Sequence, residues 1–242
     1  MLGLLLLLQS FSSLDKVDDS DDIVFYSEQH LPLNGIGADG KPTGFAVETL
    51  FLIMKRMGYQ EPKIHFLSWA DSWYFATQRP NAVLFSTAKT KNRESLFNWA
   101  CTITTSKISL LSNKDIYIES LKDLHKYKIG VIKADAGEQI LLNYNVPTEN
   151  LYQVSQGEQL IKQLLKNRTD MIAYNESVFK YVNKGVRYKV DGVKSVVTLA
   201  NIPTCFAFNK SVPIKFYKNF VSSFNYIQKT EEYLALKKEY GL

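Results

Sequence analysis

The amino-acid sequence predicts an α/β protein of two similar lobes, each a mainly parallel sheet flanked by helices. Three observations lead there. Apolar strand-like runs alternate with amphipathic helix-like stretches, the signature of a mainly parallel sheet. That β-α-β-α-β cycle occurs twice in succession. The chain has 242 residues, near the upper limit for one core, so one large domain and two lobes both fit its length.

The first cycle opens with a strand at Ile23 to Ser27. A loop carrying Pro32, Gly35, Gly37, Gly40 and Pro42 follows. Val47, Leu50, Phe51, Met54 and Met57 then form one apolar stripe on a helix from Phe45, stopped by Gly58. Lys63 to Leu67 reads as the second strand, and Ala70 to Gln78 as a helix with Trp69 at its entrance. Ala82 to Phe85 is a continuous apolar run, as in a strand covered on both faces. The second cycle has strands at Lys128 to Ile132, Leu151 to Val154 and Met171 to Tyr174. Its helices are Ala136 to Asn143, Gln156 to Lys166 and Glu176 to Asn183. Ser195 to Ala200 and Thr204 to Asn209 close the series as two strands, and Pro213 to Tyr240 reads as two amphipathic helices. In open parallel sheets ligands bind beyond the carboxyl ends of the strands. Two lobes can face those ends across a cleft.

Composition narrows the function classes. The formal charge is +5 with the lysines dispersed and no basic run of five or six, so no nucleic-acid partner is expected. The start, MLGLLLLLQSFSSLDK, reads as a secretory signal peptide with cleavage near Ser12/Ser13, although no Lys or Arg precedes the leucines. With the acidic stretch Asp15 to Asp22, residues 1–22 form a leader and polar tether. Export permits a disulfide; Cys101 and Cys205 read equally as a pair or as two buried thiols. The loop Gly35 to Pro42 matches glycine-rich nucleotide patterns, but Pro42 stands where a phosphate loop needs Ser or Thr, and the run lies far beyond the strand. An Asp39–Gly40 turn is the better reading. His30, His65 and His125 are not at metal spacing, so neither metal nor cofactor is expected.

Hydroxyls and a cation follow the apolar run at Ala82 to Phe85. Ser86-Thr87-Ala88-Lys89-Thr90-Lys91-Asn92-Arg93 resembles the G-M-T-x-T-x-E-R segment of bacterial family 3 extracellular solute-binding proteins. Thr43 to Glu48 resembles their G-F-D-V-D segment, Leu124 to Gly137 their second-lobe opening, and Asn167 to Tyr174 their G-R-V-D-A segment. Cys205 to Lys210 with the final helices is similar to their closing segment. The resemblance runs in order over the chain after its leader.

The resemblance implies the two-lobed periplasmic binding protein fold (type II) with a two-segment hinge. Lobe 1 would be 23–105 plus 203–242, and lobe 2 would be 106–202. It implies a monomeric receptor in the periplasm that hands a small-molecule solute to a membrane ABC transporter permease, with no catalytic residue. Arg93 would clamp a ligand carboxylate through its planar guanidinium, with Ser86, Thr87, Ala88 and Thr90 completing the cradle. Glu28 and His30 on the first loop and Trp69 at the second strand–helix junction would contact the ligand, while Trp73 is expected in the core. Either Ala134-Asp135 or Asp135-Ala136 falls at the family's second-lobe G-T, which places Asp135 and Ala136 among the ligand contacts. Asn175 falls where the family has an acidic residue for the α-ammonium, which argues against an unmodified α-amino acid. One rival is a dehydratase-like enzyme using Glu28, His30 or Glu176 as acid or base. Another is a free-standing partner of a membrane sensor.

Overall fold

The computed structural model describes residues 23–184 and 189–242. The expected leader and tether lie outside the described residues. One eight-stranded sheet runs through the molecule. Its strands are β1 (Val24–Glu28), β4 (Lys63–Leu67), β5 (Ala82–Ala88), β6 (Phe97–Ser112), β7 (Ile129–Ile132), β8 (Leu151–Val154), β9 (Met171–Asn175) and β10 (Lys194–Asn209). Their spatial order is β4-β1-β5-β10-β6-β9-β7-β8. The Gly35 to Thr43 loop adds a small hairpin, β2 (Gly35–Ile36) on β3 (Pro42–Thr43), turned at Asp39–Gly40 with Gly40 at φ 79°.

At one end β1 pairs in parallel with β4 and β5. At the other end β7 pairs in parallel with β8 and β9. The two parallel groups do not pair with each other in the sheet. They are joined by β6 and β10, which pair antiparallel from Lys194↔Ser112 to Asn209↔Phe97. The first parallel group meets β10 at Thr204 to Phe208, and the second meets β6 at Ile108 to Leu111.

Two features of these long strands depart from the sequence expectation. β6 has no counterpart in it, because FNWACTITTSKISLLS is neither a continuous apolar run nor a clean alternation. The two closing strands are one: β10 continues through Pro203, opposite Thr105, and Pro203's carbonyl accepts from Lys89 N. Proline is tolerated in a strand where the ladder asks for no N–H.

The helices flank the sheet. α1 (Phe45–Met57) buries Phe45, Val47, Leu50 and Ile53, and its chain turns at Gly58 in the left-handed region at φ 83°. α6 (Ile214–Ile227) and α7 (Glu231–Glu239) pack on the same side. There Phe206 and Phe208 each meet Phe220 edge-on at 4.9 Å between ring centroids. α2 (Trp69–Gln78) starts at the N-cap Ser68, whose hydroxyl accepts from Asp71 N. It shares a core with α4 (Gly157–Leu165) and α5 (Glu176–Lys184), so apolar packing continues from one parallel group to the other. α3 (Ala136–Asn143) covers the opposite side of β7 and β9 through Ala136 and Leu141.

Cys101 and Cys205, register partners on β6 and β10, form a disulfide with their Cα atoms 4.4 Å apart. Among the described residues no helix is long and apolar enough to cross a membrane.

Candidate functional site

The carboxyl ends of β1, β5 and β9 and the turn from β7 into α3 converge on one small cavity of about 30 Å³. That is room for about two water molecules. From the first parallel group and its connections come Glu28, His30, Leu33, Trp69, Ser86 and Ala88. From the second come Asp135, Ala136 and Asn175, and the long strands add Ser106, Ile108 and Thr204.

Local structure aims these side chains. Asn34 reaches back across the first loop, donating from Nδ2 to Ser27 Oγ and to the Glu28 carbonyl. Ser27 Oγ donates to Phe85 O, and Ser72 Oγ donates to Ser27 O, which ties the end of β1 to β5 and α2. Glu28 and His30 therefore leave from a braced position, with His30 Nδ1 3.7 Å from the Glu28 carboxylate. The His30 ring meets Tyr174 edge-on at 5.6 Å. Ser86 lies within β5, where the register with β10 shifts, at φ 58°, in the left-handed region that a serine rarely adopts. Asn175 is engaged at the start of α5. Its Oδ1 accepts from Ser177 N, Ser177 Oγ and Val178 N, and its Nδ2 donates to Ser106 Oγ at 2.7 Å. The side-chain oxygen of Asn175 therefore already carries three donors.

Arg93 is only 1% exposed. Its guanidinium lies 5.0 Å from the Trp69 ring centroid and 4.8 Å from that of Trp73. Nη2 donates to Ala134 O at 2.9 Å and Nη1 to Ala88 O at 3.4 Å. Nε has no partner. Trp69 Nε1 also donates to Ala134 O at 2.9 Å, so two donors from one side of the sheet converge on a single carbonyl from the other. Ala134 presents that carbonyl from a left-handed turn at φ 62° between β7 and α3.

Of the residues expected from sequence, Glu28, His30, Trp69, Ser86, Ala88, Asp135, Ala136 and Asn175 line the cavity together. Thr87, Thr90 and Arg93 do not line it, and Thr87 Oγ1 and Thr90 Oγ1 are buried without hydrogen bonds. Glu176 is turned to Lys107 at 3.0 Å and Ser109 at 2.7 Å. Sequence reasoning missed Tyr174, Ser106, Ile108 and Thr204. Trp73, expected in the core, packs against it half-buried and also flanks Arg93. Tyr174 carried a signal, being next to Asn175 at a strand's carboxyl end.

The electrostatics follow from burial. Desolvation first, and the Asp135 charge second, push the Glu28 carboxyl well above the usual carboxylate range, with Arg93 pulling the other way. Desolvation also raises Asp135, against the opposing pull of Arg93 and of the Ala136 and Gly137 amides at the start of α3. Burial holds His30 neutral down to about 4. Arg93 is lowered by burial and supported by Asp135 and Glu28, yet makes no ion pair with either.

No protein-family model and no curated protein matches the chain. Solved structures do. A histidine kinase sensor domain with similarity to periplasmic binding proteins superposes with a TM-score of 0.78 at 16% identity, over 90% of this chain and 94% of that one. The arginine-, lysine-, histidine-binding protein ArtJ of Geobacillus stearothermophilus gives 0.76 at 16%, over 90% and 94%. The substrate binding protein of an amino acid ABC transporter gives 0.75 at 16%, over 90% and 98%. The fold of this chain is that of the periplasmic binding proteins.

Proposed function

We propose that the protein is a periplasmic solute-binding protein that captures a small polar solute between two lobes and presents it to a membrane ABC transporter. One observation carries the reading: a small polar cavity at strand carboxyl ends, with walls contributed by both parallel groups. The lobes are 23–105 plus 203–242, and 106–202. The register supports this division, because β5 leaves β10 at Thr204 and β9 joins β6 at Ile108, so the chain crosses between lobes near 105 and 203. A solute touching both walls favours the closed form, since only that form contacts it on both sides. The Cys101–Cys205 disulfide supports an oxidising compartment. Capture needs no covalent step and one chain suffices, so a non-enzymatic monomer is the reading.

The sequence resemblance would make the solute an amino acid or related carboxylate held by Arg93. The placement of Arg93 off the cavity wall favours a solute that meets Glu28 and Asp135 instead. A second reading, a ligand-sensing module, is favoured by the likeness to the kinase sensor domain and shares the same capture step.

Native mass spectrometry of freshly purified protein tests capture directly, with a thermal-shift screen of small polar solutes beside it. A true solute raises the melting temperature. A bare-chain mass, together with a melting temperature that no solute moves, rules capture out.

A further inference from the structure

The cavity has two carboxylates on its wall and no fixed cation. Glu28 reaches it from the end of β1, and Asp135 from the residue before α3. Neither forms an ion pair with Lys or Arg among the described residues. Among the described residues the ion-pair contact of Glu28 is to His30, at 3.7 Å, and burial keeps that imidazole neutral. Two further atoms on lining residues, Ser86 Oγ and His30 Nδ1, are sealed from solvent and make no hydrogen bond. Buried polar atoms without partners are rare enough to need an explanation.

Arg93 does not supply the missing cation at the wall. Its two hydrogen bonds go to Ala134 O and Ala88 O, and two indoles flank it. Nη2 of this guanidinium is held by the Ala134 carbonyl, while Nε is buried without a partner. Because Ala134 O also takes the Trp69 Nε1 donor, the contact joins one side of the sheet to the other. Two carboxylates against one guanidinium leave the ionised site with one net negative charge. An unpaired buried charge is strongly disfavoured, and the raised Glu28 and Asp135 carboxyls agree with that.

We infer that the solute of this cavity is a small organic monocation without a carboxylate, an amine or amidine, held between Glu28 of one lobe and Asp135 of the other, while Arg93 serves as the closing contact between the lobes. This rests on the solute-capture reading and names its substrate class. An ammonium or amidinium brings only N–H donors, which match two carboxylates and the free Ser86 oxygen, and charge-assisted bonds are the strong ones. Bridging Glu28 and Asp135 ties ligand to closure, because the two residues come from opposite parallel groups.

Isothermal titration of the full chain with two matched pairs tests it: ethanolammonium against serine, and ethylammonium against alanine. Within each pair the members differ by one carboxylate. The member without it is expected to bind at least tenfold more tightly. Asp135→Asn and Glu28→Gln are each expected to weaken that binding tenfold or more, the loss of one charge-assisted hydrogen bond. Both variants should melt no lower than the parent when unliganded, since each removes a buried carboxyl; this separates lost binding from lost folding. Tighter binding of serine or alanine, or unchanged affinity in both variants, overturns the cation and leaves solute capture standing. A solute found by the thermal-shift screen is judged the same way: a carboxylate-free cation supports the inference, and an anion or zwitterion overturns it. If no solute binds at all, both readings fall.

Discussion

Replacing Cys101 and Cys205 together by alanine removes a cross-link whose value follows from its position. The two residues are 104 apart in sequence. The closed loop contains all of β7, α3, β8, α4, β9 and α5. In the loop-entropy account, a link closing about 100 residues stabilises the fold by about 4.7 kcal/mol, through the freedom denied to the unfolded chain. For a chain of this size each kcal/mol moves the thermal midpoint by about 2–4 °C, so the double variant should melt roughly 10–20 °C lower. Guanidinium denaturation followed by tryptophan fluorescence gives the free energy directly, and reduced parent protein should fall close to the double variant. Register pairing on β6 and β10 holds the two positions together without the bond, so the variant should still fold. A loss below about 1 kcal/mol would refute the reasoning. So would two titratable thiols in the native, unreduced protein.

His30→Gln tests the buried imidazole. Its folded value is depressed from 6.5 to about 4, so the neutral ring contributes stability that is present above 6.5 and lost as pH falls through about 4. That gap is worth roughly 3 kcal/mol. Glu28 beside it is raised and acts in the opposite sense, its contribution fading as pH rises. The parent-minus-variant difference isolates the histidine and should grow with pH between about 4 and 6.5 in urea titrations; a flat difference removes the buried neutral ring. Gly157→Ala would set a Cβ 1.9 Å from the Tyr174 hydroxyl oxygen and 2.6 Å from its ring. Overpacking of this kind costs about 1–3 kcal/mol, and Tyr174→Leu in the same chain should recover part of it. A Gly157→Ala variant as stable as its parent would mean that Tyr174 does not lie over α4.

Local pattern was enough for α1, α4 and α6, whose apolar residues recur at helical spacing and whose buried faces match that spacing. It was enough for β5 too, a strand covered on both faces. It failed for β6, where exposed and buried positions alternate irregularly along the strand. Such a strand is held by ladders to β10 and β9 rather than by its own pattern. It misled at 201–203, left between two expected strands, where the strand continues. Most of the cavity's lining was legible through the family resemblance, whose positions fall at the strand ends and strand–helix turns where sheets of this kind bind ligands. What those side chains do to one another was not: Ala134 O reaches Arg93 from 41 residues away.

The chain's own order of apolar runs and helical stripes determined two β-α-β-α-β cycles and where their strands end, since hydrophobic periodicity is a local property of the sequence. Only the folded arrangement decided that β6 and β10 join the two parallel groups into one sheet, that Cys101 meets Cys205, and that Arg93 turns Nη1 and Nη2 to backbone carbonyls while Glu28 and Asp135 face a common cavity. Those outcomes turn on long-range proximity and desolvation. No window of neighbouring residues encodes either.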